Sequence, residues 1–212
     1  TCDGKQVGSF GIGCFSFFPT KNITTTEGGM LTTNNKKYYL EIKKLIAHGI
    51  NKDRKKFFWH RVADLPGHNF RLPNHLAALG NSQLKKLNRF NSMRRSIAKK
   101  YNNFFSKMPN FFEVQEVKKN YTHSYQMYSV LVKKNKRNSL LYFLKKKGVD
   151  ASVHFDPPLH KQAYLKKYSK KLKFTEELSQ QILTLPIYPD LSQKNLSFIL
   201  NKINDWYKLV NK

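Results

Sequence analysis

Cysteine is scarce in this chain of 212 residues, and long apolar runs are absent. The two cysteines, Cys2 and Cys14, form no CxxC motif and no disulfide framework, which is typical of proteins in a reducing compartment. No stretch approaches the roughly 20 consecutive apolar residues of a membrane-spanning helix. We therefore predict a cytoplasmic globular protein, long enough to bury a sizeable core in one large or two small domains.

Acidic residues are also few, because 13 Asp and Glu face 39 Lys and Arg, for a formal net charge of +26. Such a surplus is typical of proteins that bind nucleic acid or anionic membranes. Here it consists of 32 lysines and only seven arginines scattered along the chain, together with 19 asparagines. AT-rich codons encode Lys and Asn, and readers of bases and phosphates favour Arg, so codon bias is the preferred explanation. A basic module for nucleic acid or anionic surfaces stays open as an alternative.

Hydrophobic periodicity divides the first half of the chain into short elements. Residues 7–18 predict two short buried strands interrupted by glycines, and residues 30–33 predict a further strand. Residues 37–48 carry apolar side chains at helical spacing, which predicts a helix. From residue 74 to about residue 105 apolar residues recur every three or four positions, which predicts one long helix or two helices broken near Gly80.

The second half alternates strands and helices. Strands are predicted at residues 123–132 and 149–155, and helices at residues 138–147 and 176–185. The strand at 149–155 has strict period two, and the helix at 176–185 stops at a proline. Ser192 is the expected N-cap of the last helix. The predicted inner face of that helix consists of Leu196, Ile199, Leu200, Ile203, Trp206, Tyr207 and Val210.

One lysine stands in an unusual setting. Residues 8–30 read GSFGIGCFSFFPTKNITTTEGGM and place Lys21 between a glycine-punctuated apolar run and a Thr-Thr-Thr-Glu-Gly-Gly turn. A lysine enclosed by phenylalanines is costly unless its amine is used, because desolvation disfavours the charged form. Such an amine becomes a better nucleophile and can form Schiff bases with carbonyls. A surface lysine beside a turn is the alternative interpretation.

The pattern G-S-F-G-x-x-x-F-S-F-x-x-x-K-x-x-x-T-x-E-G-G in this segment resembles the cofactor-lysine segment of the DegT/DnrJ/StrS family of pyridoxal-phosphate-dependent sugar aminotransferases. Three further stretches fit the family in the same order. They are GHNFRLPNHLAALGNSQLKKL (residues 67–87), VDASVHFDPPLHKQAY (residues 149–164) and LTLPIYPDLS (residues 183–192). The resemblance therefore covers nearly the whole chain.

This resemblance implies an α/β fold in two parts. Residues 1–108 would be the C-terminal part of the large, cofactor-binding domain of a fold-type-I pyridoxal-phosphate transferase, including a long linking helix, and residues 109–212 a small α+β C-terminal domain. The family's cofactor lysine lies near the middle of a longer chain, so the resemblance implies a fragment without the N-terminal half. The implied reaction transfers an amino group from an amino acid, with glutamate as the expected donor, to a keto group of a nucleotide-linked sugar.

The resemblance also assigns site residues. Lys21 would carry pyridoxal 5'-phosphate on its amine and shuttle the proton between substrate and cofactor, and Ser16 would contact the cofactor phosphate. Asn69 matches an asparagine that completes the neighbouring site across a homodimer. Arg71 would bind the phosphate or a substrate anion, or else pair with a carboxylate at the interface. His154 would contact the sugar nucleotide. The alternative is that His154 is only a half-exposed histidine of a strand.

Metal binding is not expected, because His154 and His160 have no third ligand at a recognisable spacing. One departure from the family is Thr26, which stands where a glycine is usual; if that glycine takes a positive φ, a β-branched residue would be strained there.

Three features that the family uses would lie upstream of Thr1: the aspartate that pairs with the pyridinium nitrogen, the residue that stacks on the ring, and the phosphate-cradling helix terminus. The isolated chain is therefore predicted to bind cofactor poorly and to be inactive. A non-catalytic relative of the family stays open as a third interpretation.

Overall fold

The computed structural model describes residues 1–54 and 56–211. Packing divides the chain into two compact units. The first consists of Thr1–Leu87 with Lys119–Thr122, and the second of Asn88–Lys118 with His123–Lys212. Both mix helices and strands, in agreement with the predicted α/β class. These are packing units, and the domain limit at residue 108 stays a prediction.

The first unit is built around a short antiparallel hairpin. Its strands and α-helices are β1 (Ile12–Ser16), β2 (Gly29–Thr33), α1 (Lys36–Leu45) and α2 (Asn74–Leu84). In the hairpin, Cys14 lies opposite Leu31 and Phe15 opposite Met30. α1 begins after Asn35, whose side-chain oxygen accepts hydrogen bonds from the backbone amides of Lys37 and Tyr38, as expected of an N-cap.

The predicted strand at residues 30–33 and the predicted helix at 37–48 are confirmed within a few residues. The prediction of two buried strands in residues 7–18 is wrong. This segment forms one strand, β1, and within it only Gly13 is buried. In the described part of the first unit, the buried residues are Gly13, Thr25 and Gly49, and no large apolar side chain is buried. The apolar pattern predicts burial, but no described residue of the first unit covers these side chains.

The long apolar stretch from residue 74 forms two helices, α2 and α3 (Leu87–Phe105). They are interrupted at Lys85 and Lys86 rather than near Gly80, which lies inside α2. A Cβ atom at Gly80 would lie 2.9 Å from Cγ2 of Thr25, closer than real carbon contacts allow. This glycine therefore permits close packing of α2 on the residue 17–28 connection and does not end the helix.

The second unit contains the hydrophobic core. Its sheet has the antiparallel order β3-β4-β5, and α4 packs against α6 and β5. Besides α3, its strands and α-helices are β3 (Phe112–Val114), β4 (Tyr128–Val132), α4 (Arg137–Lys146), α5 (Lys173–Gln181), β5 (Ile182–Leu185) and α6 (Gln193–Val210). Two 3-10 turns, Leu159–Lys161 and Ala163–Tyr168, lie between α4 and α5.

Aromatic rings on α3 pack onto the sheet. The ring of Tyr101 stacks on that of Tyr128 with centroids 4.6 Å apart, and Phe105 contacts Phe112 at 4.7 Å. The buried Tyr101 hydroxyl donates to the carbonyl of Pro186 at 2.9 Å, and burial raises the pKa of that hydroxyl. From α6, the Trp206 indole N–H donates to Ser139 Oγ at 3.1 Å. These two buried polar groups thus keep partners, as a stable core requires.

Two predictions in the second half need correction. Residues 149–155 form a single β-bridge, between Ser152 and Thr184, and not a regular strand. The helix predicted to reach residue 185 ends at Gln181, because the next four residues pair with β4. Residues 182–185 pair with the central strand β4, and three of the four are buried there, so tertiary contacts override the local spacing.

The prediction for the last helix is confirmed. Ser192 Oγ accepts a hydrogen bond from the Asn195 amide at 3.1 Å. Four of the predicted inner residues are buried, Leu196, Ile199, Ile203 and Trp206, and the other three pack against the core. Among residues 1–54 and 56–211, no helix combines the length and apolar character needed to cross a bilayer.

A buried arginine joins three segments of the second unit. Arg137, with 4% of its side chain exposed, lies 2.7 Å from Asp156 through Nη2. Its Nη1 donates to the carbonyls of Ser179 and Ile182. The sequence places this arginine among many surface lysines and carries no sign of its burial. Arg137 connects the start of α4, the Asp-Pro-Pro turn and the junction between α5 and β5.

Replacing Asp156 by Asn should lower the free energy of unfolding by about 1–2 kcal/mol, because a buried guanidinium loses its anionic partner while the amide oxygen can still accept. Urea unfolding checks this. The matched control is Asp150→Asn, which removes the exposed ion pair with Lys145 and should change stability by less than about 0.5 kcal/mol. Equal effects of the two substitutions would contradict a special role for the buried pair.

Candidate functional site

Lys21 lies in the connection between β1 and β2. Its backbone amide donates to the Phe18 carbonyl at 3.0 Å, which closes a tight turn. The Lys21 side chain is exposed. The expected enclosure of the amine by phenylalanines is therefore not formed within the first unit, since Phe18 is itself exposed. Chemistry that needs a neutral amine would require desolvation from additional protein or from a bound ligand.

Ser16 is the last residue of β1 and stands opposite Gly29 in the hairpin. The amide of Phe18 donates to Ser16 Oγ at 3.3 Å. This bond uses the hydroxyl oxygen as an acceptor and leaves the hydroxyl proton available to a second partner. Phe18 thus bonds to both candidates, through its amide to the Ser16 hydroxyl oxygen and through its carbonyl to the Lys21 amide.

Phe17 organises the rest of this connection through its backbone. Its amide donates to the Gly28 carbonyl at 2.9 Å, and its carbonyl accepts from the Thr25 amide at 3.0 Å and the Thr24 hydroxyl at 2.8 Å. Gly28 has φ +137°, and a Cβ there would lie 2.8 Å from Leu72 Cδ1. Glycine at this position allows the loop to close onto the segment that precedes α2.

Thr26 takes the conformation that its family position suggested. Its φ is +67°, in the left-handed region that β-branched residues rarely adopt. Its amide donates to Thr24 Oγ1 at 2.8 Å and its hydroxyl to the Thr25 carbonyl at 2.5 Å. Local hydrogen bonds therefore hold a strained residue five positions after Lys21, at a cost of order 1–3 kcal/mol.

Asn69 and Arg71 contact one another. Arg71 Nε donates to Asn69 Oδ1 at 2.9 Å, and both side chains are exposed. The backbone of Asn69 forms a β-bridge with Ala47, directly after α1. Because the amide oxygen is engaged by the guanidinium, the Asn69 amide group offers its two N–H donors to a further partner. Together the pair presents donors to an anion.

His154 belongs to the second unit and is half-buried. Its Nδ1 lies 3.2 Å from Thr184 Oγ1 and 3.3 Å from Ser152 Oγ. These contacts fix the ring on β5, while the neighbouring Phe155 is exposed. The geometry fits a histidine oriented by two hydroxyl groups, with its second nitrogen left for another contact.

His160 has a carboxylate partner. Its Nε2 lies 3.2 Å from Glu176 Oε1, and Lys161 Nζ lies 3.0 Å from the other oxygen. Hydrogen bonds from Lys161, the Leu172 amide and His160 lower the pKa of Glu176 to about 2. In the part of the chain that the structure describes, no three His, Cys, Asp or Glu side chains converge as a metal site would require.

Known proteins resemble this chain in sequence and fold. The family model described as the DegT/DnrJ/EryC1/StrS aminotransferase family matches residues 1–204. GDP-perosamine synthase of Escherichia coli O157:H7 is 34% identical over 206 residues, which are 96% of this chain and 54% of that protein. The chain thus spans about half the length of the curated relatives that it matches.

Two solved structures share the fold. Helicobacter pylori PseC, an aminotransferase of pseudoaminic acid biosynthesis, superimposes with TM-score 0.83 at 28% identity, over 93% of this chain and 53% of that one. The sugar aminotransferase Spr1654 of Streptococcus pneumoniae, in its PLP form, superimposes with TM-score 0.87 at 23% identity, over 99% of this chain and 55% of that one.

Replacing Thr26 by Gly should raise the free energy of unfolding by about 1 kcal/mol, because glycine adopts a positive φ without the steric cost of a Cβ. Thermal or urea unfolding checks this. The control is Thr26→Ala, which removes the hydroxyl but keeps the Cβ, and no comparable gain is expected from it. A loss of stability in the glycine variant would show that the backbone is not strained there.

Glu176 should make the protein sensitive to acid. Its pKa is depressed from 4.5 to about 2 in the folded state, so its stabilisation is complete above the unfolded value and disappears as pH falls through the folded value. The stability difference between wild type and Glu176→Gln should be constant above about pH 5 and vanish towards pH 2. Urea unfolding across this pH range measures the difference.

The control for this acid sensitivity is Glu177→Gln, which removes the same charge from the same helix. Glu177 lies 4.0 Å from its nearest cation, Lys173, so its replacement should change the acid profile much less. Parallel pH profiles for wild type and the Glu176 variant would overturn the assignment.

Proposed function

This chain belongs to the DegT/DnrJ/EryC1/StrS aminotransferase family, and from that premise we propose that it is the carboxy-terminal part of a pyridoxal-phosphate-dependent aminotransferase. The enzyme moves an amino group from an amino acid, with glutamate as the expected donor, to a keto group of a nucleotide-linked sugar. The observation that carries the proposal is the segment from Ser16 to Lys21 at the end of β1, in which Phe18 bonds to both residues and which lies within the region that the family model matches.

The residues present fit the cofactor. Pyridoxal phosphate needs a primary amine for its aldehyde and hydrogen-bond donors for its phosphate. Lys21 supplies the amine, and Ser16 keeps its hydroxyl proton for a phosphate oxygen because its oxygen alone is used by the Phe18 amide. The loop that carries both is closed by backbone hydrogen bonds to Phe17, so the donors are presented by an ordered turn.

Lys21 has two tasks in this proposal. Its Nζ would hold the cofactor, and the same amine, when free, would take and return the proton at the substrate carbon. When bound, the cofactor supplies an electron sink for the charge that develops at that carbon. Lys21 is exposed in these 212 residues, so the amine needs further covering protein to favour its neutral form.

Asn69 and Arg71 are proposed to act on anionic groups. The hydrogen bond between them directs the Asn69 N–H donors outwards, which suits the phosphate of a neighbouring protomer's cofactor in a homodimer. Arg71 keeps its terminal nitrogens for a phosphate or a substrate carboxylate. His154, oriented by Ser152 and Thr184, is proposed to contact the sugar nucleotide.

The proposal also includes a cytoplasmic location and a contribution from the part of the family's length that this chain does not match. Both cysteines are free thiols, which fits a cytoplasmic enzyme. The chain matches only about half of GDP-perosamine synthase, and we propose that the remaining half supplies the groups that pair with the pyridinium nitrogen and stack on the ring. The 212 residues alone should therefore bind cofactor weakly and show no transamination.

The test joins residues 1–204 to the part of GDP-perosamine synthase that they do not match. Borohydride reduction in the presence of pyridoxal phosphate, followed by peptide mass mapping, should place one pyridoxyl group on Lys21. Lys21→Arg should abolish this adduct and lower transamination by about 10²–10⁴-fold, the usual contribution of a positioned acid–base group.

The matched control is Lys36→Arg, a change at another exposed lysine of the first unit. It should leave both the adduct and the activity unchanged. A folded chimera that carries its adduct on a different lysine, or none, would refute the role of Lys21 and favour a non-catalytic relative.

A further inference from the structure

The stretch that leads into α5 combines positive charge with exposed apolar side chains. Residues 164–174 contain five lysines and no Asp or Glu, and every one of these lysines is exposed. The exposed fractions of four apolar side chains between them are 73% for Tyr164, 66% for Tyr168, 45% for Leu172 and 73% for Phe174. We call residues 164–174 the basic aromatic segment.

Most of the positive charge on the basic aromatic segment is unbalanced. Lys173 lies 4.0 Å from Glu177. In the part of the chain that the structure describes, no carboxylate lies within ion-pair distance of the other four lysines, Lys166, Lys167, Lys170 and Lys171. The Lys167 ammonium lies 4.8 Å from the centre of the Tyr168 ring, so a cation without a carboxylate partner and an exposed ring are neighbours.

The segment is an ordered part of the second unit. The Leu172 amide donates to Glu176 Oε1 at 3.0 Å, and the Ser169 amide donates to the Lys166 carbonyl at 3.1 Å. The second unit buries a core of its own. A face that belonged to a protein interior would not carry four unpaired ammonium groups, because burial of an unpaired charge is costly. The exposed rings therefore lie on a surface that keeps its lysines in a polar or charged setting.

We propose that the basic aromatic segment docks this protein on the surface of a membrane that contains anionic lipids. Clustered lysines are attracted to a negative lipid surface, while Tyr, Phe and Leu side chains enter the boundary between headgroups and acyl chains. The aliphatic stem of lysine lies along apolar surface and keeps its ammonium group at the headgroup phosphates. The contact is peripheral and involves only the headgroup boundary.

A single-stranded nucleic acid is the weaker candidate. Surfaces that recognise phosphates by paired hydrogen bonds favour arginine, and all five cations of this segment are lysines. Leu172 offers no ring on which a base could stack, whereas it adds apolar area at a lipid surface. This inference goes beyond the proposed function and does not depend on it, since no residue of the segment is assigned to cofactor or substrate.

The experiment uses the 212-residue chain and vesicles of phosphatidylcholine, with or without phosphatidylglycerol. Flotation should show binding at least tenfold stronger to the vesicles that contain phosphatidylglycerol, and this binding should weaken as salt is added. Hydrogen exchange at residues 164–174 should slow when these vesicles are present. Glycerol phosphate, which has the headgroup charge without an acyl layer, should not compete at the concentration of the lipid headgroups.

A charge variant tests whether the local lysines matter, because the net charge of +26 attracts any polyanion. Glutamine at the four unpaired lysines, Lys166, Lys167, Lys170 and Lys171, should weaken vesicle binding about tenfold or more. The matched control removes the same charge from four other exposed lysines of the second unit, Lys99, Lys107, Lys146 and Lys147. Its effect should be much smaller.

A ring variant tests the apolar part of the contact. Tyr168→Ser with Phe174→Ser keeps every charge and should weaken vesicle binding several-fold, most clearly at high salt, where apolar contact carries more of the binding. The control pair is Tyr142→Ser with Phe198→Ser, two exposed rings elsewhere in the second unit, which should leave binding unchanged.

The longer protein should bind in the same way. The chimera with the remaining part of GDP-perosamine synthase should bind the anionic vesicles as the 212-residue chain does, and Lys21→Arg in that chimera should not change this. Failure of the proposed catalytic role therefore leaves the docking result intact.

Several results would overturn the proposal. They are equal binding to both kinds of vesicle, equal losses in the two lysine variants, loss of binding in the folded chimera, or binding of a single-stranded oligonucleotide through these lysines without binding to vesicles. The exchange measurement on the wild-type chain needs no substitution, so the proposal stays testable even if a variant fails to fold.

Discussion

Burial of apolar surface is the constraint on which the rest of this structure depends, and the two units meet it differently. The second unit packs Tyr101, Phe105 and Trp206 against a three-stranded sheet. The Tyr101 hydroxyl and the Trp206 indole N–H both have hydrogen-bond acceptors there. The first unit buries no large apolar side chain among the described residues. Among the described residues of the first unit, the contacts that order the chain are backbone hydrogen bonds, turns and close glycine contacts.

That difference has a direct consequence for Lys21, the candidate cofactor lysine. Its turn is organised locally, by the bonds of Phe17 to Thr24, Thr25 and Gly28 and by the Phe18 amide on Ser16. Local bonds can position a nucleophile, but they cannot remove water from it. Positioning of the Lys21 amine and its desolvation are thus separate requirements. The strained backbone at Thr26 is part of the local structure that positions the segment.

Sequence patterns predicted the elements whose burial follows their own periodicity. The last helix is the best case, because its inner residues and the Ser192 cap coincide with the structure. The predictions failed where another segment decides the outcome. Residues 182–185 join the sheet because β4 is available to pair with them. Gly80 lies inside α2, where the lack of a side chain lets Thr25 approach the helix. The contact between Asn69 and Arg71 has no local signature either.

By itself, the sequence determined the family, through four ordered motifs, and with it the identity of the candidate lysine and serine. It also determined the helices with one apolar face, because helical spacing is a local property. Only the tertiary structure decided that Arg137 is a buried partner of Asp156 and that His160 pairs with Glu176. Burial and pairing depend on segments distant in the chain, and no local pattern indicates which distant segment supplies the partner.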